Sequence, residues 1–223
     1  MPPAHCFWLL ALAGAYLAGA VPFGYLIGKF NGIDIRRHGS GNIGATNVLR
    51  VIGKPWGYTC FLLDFLKGAL PVLAAWWLAP RLAGPTPLGQ LNQLAPVFAA
   101  AGTLAGHLWP VWLKFKGGKG VATTLGALGV LAPLPILAGL LCWLVVFKLS
   151  RYVSLASILA AAAMPATALA MHLLGRHPSL LRGEAPQLPV LLTIALAAAL
   201  VIIRHRANIV RLRNGSESRF AKK

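Results

Sequence analysis

The stretch GHLWPVWLKFKGGKGVATT, residues 106–124, places a glycine-rich, lysine-bearing turn between two apolar segments. The chain around it is 57% hydrophobic and only 11% charged, with a mean hydropathy of +0.70. This composition is typical of integral membrane proteins. The stretch therefore predicts an anion-binding turn at the surface of a membrane-spanning helical bundle.

Apolar segments on both sides of this turn predict an all-α integral membrane protein with about seven transmembrane helices. Four or five segments are long enough to cross a hydrocarbon core of roughly 30 Å at about 1.5 Å per residue. Two shorter segments meet around Pro133 and Pro135, where we expect a hairpin or a re-entrant pair. We expect a single multispanning domain, residues 1–223. Its segments cover residues 6–29, 56–79, 93–113, 120–132, 135–149, 152–174 and 188–203.

The distribution of basic residues predicts the orientation of the helices. Five lysines and arginines lie at or between the ends of the first two segments, whereas the next loop, residues 80–92, holds only Arg81. Because positive loops stay in the cytoplasm, we expect an external N-terminus and a cytoplasmic first loop. A hairpin at Pro133 and Pro135 then keeps Lys148, Arg151 and the basic C-terminal tail on the cytoplasmic side.

The net charge of +17 does not indicate nucleic-acid binding, because the basic residues fall mainly between and after apolar segments. The three cysteines sit in apolar segments without Cys or His partners, so no disulfide framework or cysteine metal site is indicated. Four dispersed acidic residues offer no carboxylate cage for catalytic Mg²⁺. We therefore predict neither a metal nor a cofactor. The acidic residues are Asp34, Asp64, Glu184 and Glu217.

The predicted topology gathers four polar clusters at the cytoplasmic face, which we interpret as one composite site. In the first, HGSGNIGATNVLR, glycines let backbone N–H groups approach an anion, and small polar side chains add donors. Its arginine would supply a forked charge. The alternative is a flexible loop between membrane helices. The candidate phosphate ligands of this cluster are Ser40, Asn42, Gly44, Asn47 and Arg50.

The letters GSGNIG also satisfy the G-x-G-x-x-G pattern of dinucleotide-binding folds. No strand precedes them and no parallel sheet can follow, so we reject that interpretation. Asp64 stands where a ribose ligand would be sought, but it lies in an apolar helix with Lys67 three residues on. We expect these two residues to pair.

The second cluster is the glycine turn itself, in which Gly117, Gly118, Lys119 and Gly120 precede an apolar helix containing Thr123. A helix N-terminus offers N–H groups and the positive end of the helix dipole, and the lysine adds a point charge for a phosphate. The turn is not a Walker A loop, because Gly120 occupies the Ser/Thr position, so no nucleoside triphosphate is implied. The alternative is a basic turn that only sets orientation.

The third and fourth clusters are VSLASI, residues 153–158, and HRANIVRLRNGSE, residues 205–217. Ser154 is interpreted either as a functional hydroxyl or as a helix N-cap. His205 and Asn208 share one face of a helix. For the whole tail, the alternative is a basic helix resting on anionic lipid. His107, beside the glycine turn, is interpreted as a packed or backbone-bonded histidine rather than a base.

Together these strings resemble the three motifs of the bacterial acyl-phosphate:glycerol-3-phosphate acyltransferases. SGNIGATNVLR matches the first motif, GHLWPVWLKFKGGKGVAT the second, and VSLASI with HRANIVRLRNGSE the third. The resemblance extends over the whole chain and includes the helix with Asp64, Lys67 and Gly68. It implies a multi-pass enzyme of the bacterial cell inner membrane with its active site on the cytoplasmic face. The reaction implied moves a fatty acyl group from acyl phosphate to the sn-1 hydroxyl of glycerol 3-phosphate, giving lysophosphatidic acid and phosphate, the first step of phospholipid biosynthesis.

On this resemblance, the first cluster and the glycine turn surround the two substrate phosphates, without an assignment of each residue to one phosphate. His205 and Asn208 orient the attacking hydroxyl, and Ser154 completes the predicted catalytic set. Either His205 or the leaving phosphate takes the proton. Arg211 neutralises charge, and Glu217 holds the tail in place through arginine pairs. The implied partners are glycerol 3-phosphate, acyl phosphate, membrane lipid and an acyl-phosphate-producing enzyme.

Two other functional classes compete with this prediction. A transporter or flippase for phosphorylated metabolites would also use basic clusters and broken helices, but it should carry polar residues at the bilayer centre or at both faces. A non-enzymatic scaffold docked on anionic lipid would leave the glycine clusters without a role. The one-sided polar clusters favour the enzyme.

Overall fold

A computed structural model describes residues 7–82, 91–177 and 187–220, and within these ranges the chain is helical and contains no strand. The predicted all-α class is confirmed. Glu184 and the last two lysines lie outside the described residues. The α-helices are α1 (Phe7–Ala20), α2 (Phe23–Phe30), α3 (Ala45–Val51), α4 (Lys54–Leu82), α5 (Ala95–Leu108), α6 (Val121–Leu131), α7 (Pro133–Ser150), α8 (Val153–Leu173), α9 (Gln187–Arg204) and α10 (Arg206–Arg213).

Within the described ranges, six stretches are long and apolar enough to cross a membrane. The seventh apolar helix, α6, has 11 residues. The sequence predicts two short helices around Pro133 and Pro135, but only α6 is short. Both prolines lie in the first turn of the 18-residue α7, where a fixed φ and a missing N–H are tolerated. The six stretches are Phe7–Phe30, Lys54–Leu82, Asn92–Leu113, Pro133–Ser150, Val153–Leu173 and Gln187–Arg204.

The chain forms two compact units, Met1–Leu131 and Ala132–Lys223. In the first unit, α1 packs on α5, and α4 packs on both α5 and α6. The helices meet backbone to backbone: a Cβ added to Gly126 would lie 2.1 Å from the Phe65 carbonyl oxygen. Glycine permits this approach in membrane bundles. Because α4 contacts both α5 and α6, it supports both ends of the glycine turn that joins them.

In the second unit, α8 packs between α7 and α9. Helix α9 ends at Arg204, and α10 begins at Arg206, directly after His205. The chain then returns towards the start of α8, where the Phe220 N–H donates to the Arg151 carbonyl at 3.1 Å. The Arg219 guanidinium lies over the Tyr152 ring at 4.8 Å. The C-terminal segment is thereby fixed beside the turn between α7 and α8.

Candidate active site

Asn47 organises the loop of the first cluster from within. Its Oδ1 accepts the Ser40 N–H at 2.9 Å, and its Nδ2 lies within hydrogen-bond distance of the Ile35, His38 and Asn42 carbonyls. The residue is only 2% exposed. The sequence predicts that Asn47 binds phosphate. Since the oxygen and the nitrogen of its amide already bond to the loop backbone, we propose instead that Asn47 shapes the loop.

The other candidates of this loop lie at or near its surface. The Gly44 N–H donates to Asn42 Oδ1 at 2.8 Å, and Gly44 itself caps α3. Ser40 and Arg50 are exposed, the latter in the last turn of α3. Gly39 has φ +58°, a left-handed conformation that side chains with a Cβ rarely adopt. The loop therefore presents the Ser40 hydroxyl next to a position that favours glycine, and α3 presents the Arg50 guanidinium.

Backbone hydrogen bonds fold the glycine turn onto the end of α5. The Gly117 N–H donates to the Leu108 carbonyl at 3.2 Å, and the Gly118 N–H donates to the His107 carbonyl at 3.1 Å. Gly120 has φ +85° and leads directly into α6. The position of the turn is thus set by the last residues of α5.

The first turn of α6, which follows Lys119 in the sequence, carries two buried hydroxyls. Thr123 is fully buried and Thr124 is 3% exposed, and neither Oγ1 has a hydrogen-bond partner within the described residues. An unsatisfied buried hydroxyl costs about 1–3 kcal/mol, so a ligand that accepts from it is favoured. Lys119 precedes Val121, the first residue of the helix. A phosphate would be stabilised here by the Lys119 side chain, by the two threonine hydroxyls and by the positive end of the α6 dipole.

In the second unit, the Glu217 carboxylate accepts hydrogen bonds from three side chains. Ser154 Oγ donates to Oε1 at 2.7 Å, Asn208 Nδ2 donates to the same oxygen at 2.6 Å, and Arg211 Nε donates to Oε2 at 2.7 Å. We call this group the Glu217 clamp. It joins the start of α8 to α10 and contains the arginine pair predicted for Glu217. The N-cap interpretation of Ser154 is wrong, because α8 begins at Val153.

The clamp controls the ionisation of its carboxyl group. Burial raises the pKa of Glu217, but hydrogen bonds from Ser154, Asn208 and Arg211, together with the arginine charge, outweigh burial and hold the pKa below its ordinary value. The carboxylate is therefore charged at neutral pH. It can then accept all three hydrogen bonds at once.

We expect the clamp to open in acid. A carboxyl group whose pKa folding has lowered stabilises the fold above its unfolded pKa of about 4.3. That stabilisation is lost as the pH falls through the lowered pKa of Glu217 in the folded protein. Hydrogen exchange of residues 206–220, corrected for intrinsic rates, should be constant above about pH 5 and should accelerate below it. Glu217→Gln should remove this acid step, whereas an unchanged step in that variant would assign it to another group.

His205 lies between α9 and α10 and is 3% exposed. Its Nδ1 is 2.7 Å from the Val201 carbonyl oxygen. A carbonyl only accepts, so Nδ1 carries the hydrogen, and the lone pair of the neutral ring is on Nε2. This is the tautomer that a general base needs. Asn208 follows within the first turn of α10 and is oriented by the clamp.

Each acidic residue in the described ranges is paired with a basic side chain. Each of these carboxylates thus already has a cationic partner. In these ranges, no group of three or more His, Cys, Asp or Glu residues could hold a metal ion. The exposed pair in the first loop also lowers the pKa of Asp34 below its ordinary value, through the hydrogen bond from Arg36. The pairs are Asp34–Arg36 at 2.8 Å, Asp64–Lys67 at 2.8 Å and Glu217–Arg211 at 2.7 Å.

The predicted site residues are divided between the two units. The first unit contains the loop and glycine-turn candidates, and the second contains His205 and the clamp. A single site that combines all four clusters stays a prediction. The predicted Asp64–Lys67 pair is confirmed, but sequence reasoning missed that His107 joins it, because nothing in the spacing of two separate helices indicates that contact.

Comparison with known proteins assigns a family to this arrangement. The family model for glycerol-3-phosphate acyltransferase matches residues 9–215. A glycerol-3-phosphate acyltransferase of Trichlorobacter lovleyi is 44% identical over 219 residues, covering 97% of this chain and 98% of the relative. One from Aquifex aeolicus is 41% identical over 206 residues, covering 92% and 95%.

Solved structures agree with the sequence relatives. The crystal structure of PlsY (YgiH), an integral membrane glycerol 3-phosphate acyltransferase, in its glycerol 3-phosphate form matches with a TM-score of 0.78 at 39% identity, over 96% of both chains. Its lysophosphatidic acid form matches with a TM-score of 0.76 at 39% identity, over 96% of this chain and 95% of that one.

Proposed function

The chain belongs to the glycerol-3-phosphate acyltransferase family, and we propose that it transfers a fatty acyl group from acyl phosphate to the sn-1 hydroxyl of glycerol 3-phosphate. The products are lysophosphatidic acid and phosphate. The observation that carries the proposal is the glycine turn at the start of α6, where Lys119 precedes a helix whose first turn has two buried hydroxyls without a hydrogen-bond partner within the described residues. A solved relative of this chain is described in a glycerol 3-phosphate form.

Acyl phosphate suits the groups that this chain provides. It is a mixed anhydride with phosphate as its leaving group, so acyl transfer needs positioning and charge neutralisation more than a covalent protein intermediate. Alignment of the bound reactants lowers the activation free energy by up to about 7–11 kcal/mol. Donors directed at the developing charge add to this. The described carboxylates are all paired with basic side chains, which supports a transfer that does not depend on a metal.

The proposed reaction gives each group one task. Nε2 of His205 accepts the proton of the attacking hydroxyl, or the leaving phosphate accepts it, and Asn208 orients that hydroxyl. The hydroxyl oxygen bonds to the acyl carbon, and the carbon–oxygen bond to phosphate breaks, with the electron pair leaving on phosphate. Ser154 and Glu217 hold Asn208 in place, with Arg211 adding positive charge. The two phosphates are held by Ser40, Asn42, Arg50, Lys119 and Thr123, on a backbone that Gly44, Gly117, Gly118 and Gly120 shape.

The proposal extends to the setting of the reaction. The basic loops and tail support an active site on the cytoplasmic face of the bacterial inner membrane. Acyl phosphates hydrolyse readily in water, so an enzyme that produces them should act close to this membrane. Apolar helices that face lipid can accept the acyl chain directly from the bilayer.

The test is a donor comparison with purified protein in detergent. Labelled glycerol 3-phosphate is incubated with acyl phosphate, acyl-CoA or acyl-carrier protein, without ATP and with a chelator of divalent metals. We expect lysophosphatidic acid from acyl phosphate only, and a loss of kcat/KM of about 100-fold or more in Lys119→Ala. Lys148→Ala, in the last turn of α7, removes the same charge elsewhere and should retain activity. No product from any donor would contradict the proposal and lead to flux assays in liposomes.

His205→Ala tests the proton acceptor. If Nε2 takes the proton, the loss of this base should lower kcat by about 10²- to 10⁴-fold and remove the acidic limb of the pH–rate profile. His172→Ala is the matched control, since His172 lies in the last turn of α8 and bonds to Gln187 at 2.8 Å. Near-normal turnover of folded His205→Ala would instead assign the proton to the leaving phosphate.

A further inference from the structure

A buried cluster of ionisable side chains lies in the first unit, and the proposed reaction does not use it. Asp64 Oδ1 is 2.8 Å from Lys67 Nζ and 3.8 Å from His107 Nδ1. The three residues are between 3% and 7% exposed. Buried charges in membrane helices are costly unless they are paired, and they mark functional positions more often than packing positions.

The cluster connects α4 to the helices around it. Lys67 Nζ also donates to the Val21 carbonyl at 2.7 Å, at the break between α1 and α2. The Lys67 carbonyl accepts the hydroxyl of Thr103 from α5 at 2.7 Å. A Cβ added to the next residue, Gly68, would lie 2.3 Å from the Thr123 carbonyl oxygen in α6. The cluster therefore lies where α4 meets α5 and α6, the two helices that the glycine turn joins.

His107 extends this cluster to the turn itself. Its carbonyl accepts the Gly118 N–H at 3.1 Å, and a Cβ added to Gly118 would lie 2.2 Å from His107 Nε2. The imidazole edge that carries Nδ1 faces the Asp64 carboxylate, and the opposite edge lies against Gly118. The orientation of the ring therefore limits where the backbone of the turn can lie.

We infer that Asp64, Lys67 and His107 position the glycine turn for phosphate binding. The buried ion pair lies 3.8 Å from the Nδ1 edge of the His107 ring and limits its position by packing and charge. The ring and its carbonyl in turn limit the position of Gly118, and the neighbouring N–H groups and Lys119 are thereby held in place. These are positioning residues, since none is assigned to the substrate. The nature of the bound phosphate rests on the proposed function, whereas the ordering of the turn does not.

Hydrogen exchange and kinetics of His107→Ala test this inference together. Exchange should accelerate in residues 115–123 and stay unchanged in residues 187–204. KM for one phosphorylated substrate should rise by about 10- to 100-fold, with a smaller change in kcat, because a displaced turn weakens binding first. His107→Gln keeps a polar group near Nε2 and should recover part of the loss. His172→Ala should change neither measurement.

The ion pair is tested by replacing both partners, since removing one would leave a buried charge and destabilise the protein. Asp64→Asn/Lys67→Met should fold, accelerate exchange in residues 115–123 and raise the same KM as His107→Ala. Adding His107→Ala to this pair should then have little further effect, because the residues act on one element.

Three outcomes separate the possibilities. Wild-type exchange in residues 115–123 together with wild-type KM in His107→Ala would overturn the inference. Acceleration spread evenly over the first unit, with a lower active fraction and unchanged KM, would also overturn it by showing a purely structural role. Selective acceleration in the turn, in a protein that forms no product from any donor, would support the inference and reject the proposed function.

Discussion

Glu217→Ala is expected to slow acyl transfer strongly and to release the C-terminal segment. Ser154 and Asn208 would lose their acceptor Oε1, and Arg211 would lose its acceptor Oε2. Removing one partner of a buried charged pair costs about 3–5 kcal/mol. We expect the lower end of this range, because the Arg211 side chain is 39% exposed and keeps part of its hydration. Asn208 would then lose its orientation, and kcat/KM should fall by about 100-fold or more.

Thermal unfolding, hydrogen exchange of residues 206–220 and turnover measure the three parts of this expectation. Glu217→Gln keeps an acceptor oxygen of similar shape and should fall between the wild type and Glu217→Ala. The matched control is Asp34→Ala, which removes a carboxylate paired with Arg36 at the same kind of distance but at the surface. It should leave stability and turnover nearly unchanged. Full activity of Glu217→Ala would show that the clamp does not orient a catalytic group.

Gly117→Ala is the second substitution with a large expected effect. An added Cβ would lie 2.1 Å from the His107 carbonyl oxygen, 2.5 Å from Pro110 Cδ and 2.6 Å from the Leu108 carbonyl oxygen. These neighbours are backbone atoms and a proline ring, so none can rotate away. The turn must shift instead, and its N–H groups move with it. A displacement of about 1 Å in a catalytic site is enough for a hundredfold loss of kcat/KM.

Gly129→Ala in α6 provides the control for this substitution. A Cβ at Gly129 would have no heavy atom within 4 Å, so the variant adds the same methyl group without a collision. It should retain wild-type turnover and gain up to about 1 kcal/mol of helix stability, since alanine is the better helix former. If Gly117→Ala and Gly129→Ala were equally active, the close packing of the turn on α5 would not matter for the reaction.

Much of the fold follows from local properties of the sequence. Long apolar segments predict membrane helices because backbone groups in a lipid environment must bond within their own helix. The prolines at 133 and 135 indicate a helix boundary, but whether they interrupt a helix depends on where in the helix they fall. Both positions fall in the first turn of α7, where proline is tolerated, so the helix is longer than the sequence predicts.

The sequence indicates the motifs of the candidate site and the arginine pair of Glu217, but not the other hydrogen-bond partners of its side chains. The glycines and Lys119 are recognisable because their types and spacing suit phosphate chemistry. His205 and Asn208 are indicated by the resemblance to the acyltransferase motifs, since a basic helix on anionic lipid would also explain the tail. The position of Asn47 predicts a phosphate ligand, whereas the hydrogen bonds of its amide to the loop backbone support the loop-shaping role proposed above. A short polar side chain can serve a ligand or its own backbone equally well, and spacing alone does not distinguish these roles.

The sequence by itself determined the all-helical membrane class, the position of the glycine turn and the i, i+3 pair of Asp64 and Lys67. Each depends on periodicity or neighbours within one helix or turn, which local chemistry dictates. Only the tertiary structure decided that Ser154 bonds to Glu217, 63 residues away, and that His107 meets Asp64 from another helix. Such contacts depend on how helices approach and rotate, and that is set by packing over the whole unit.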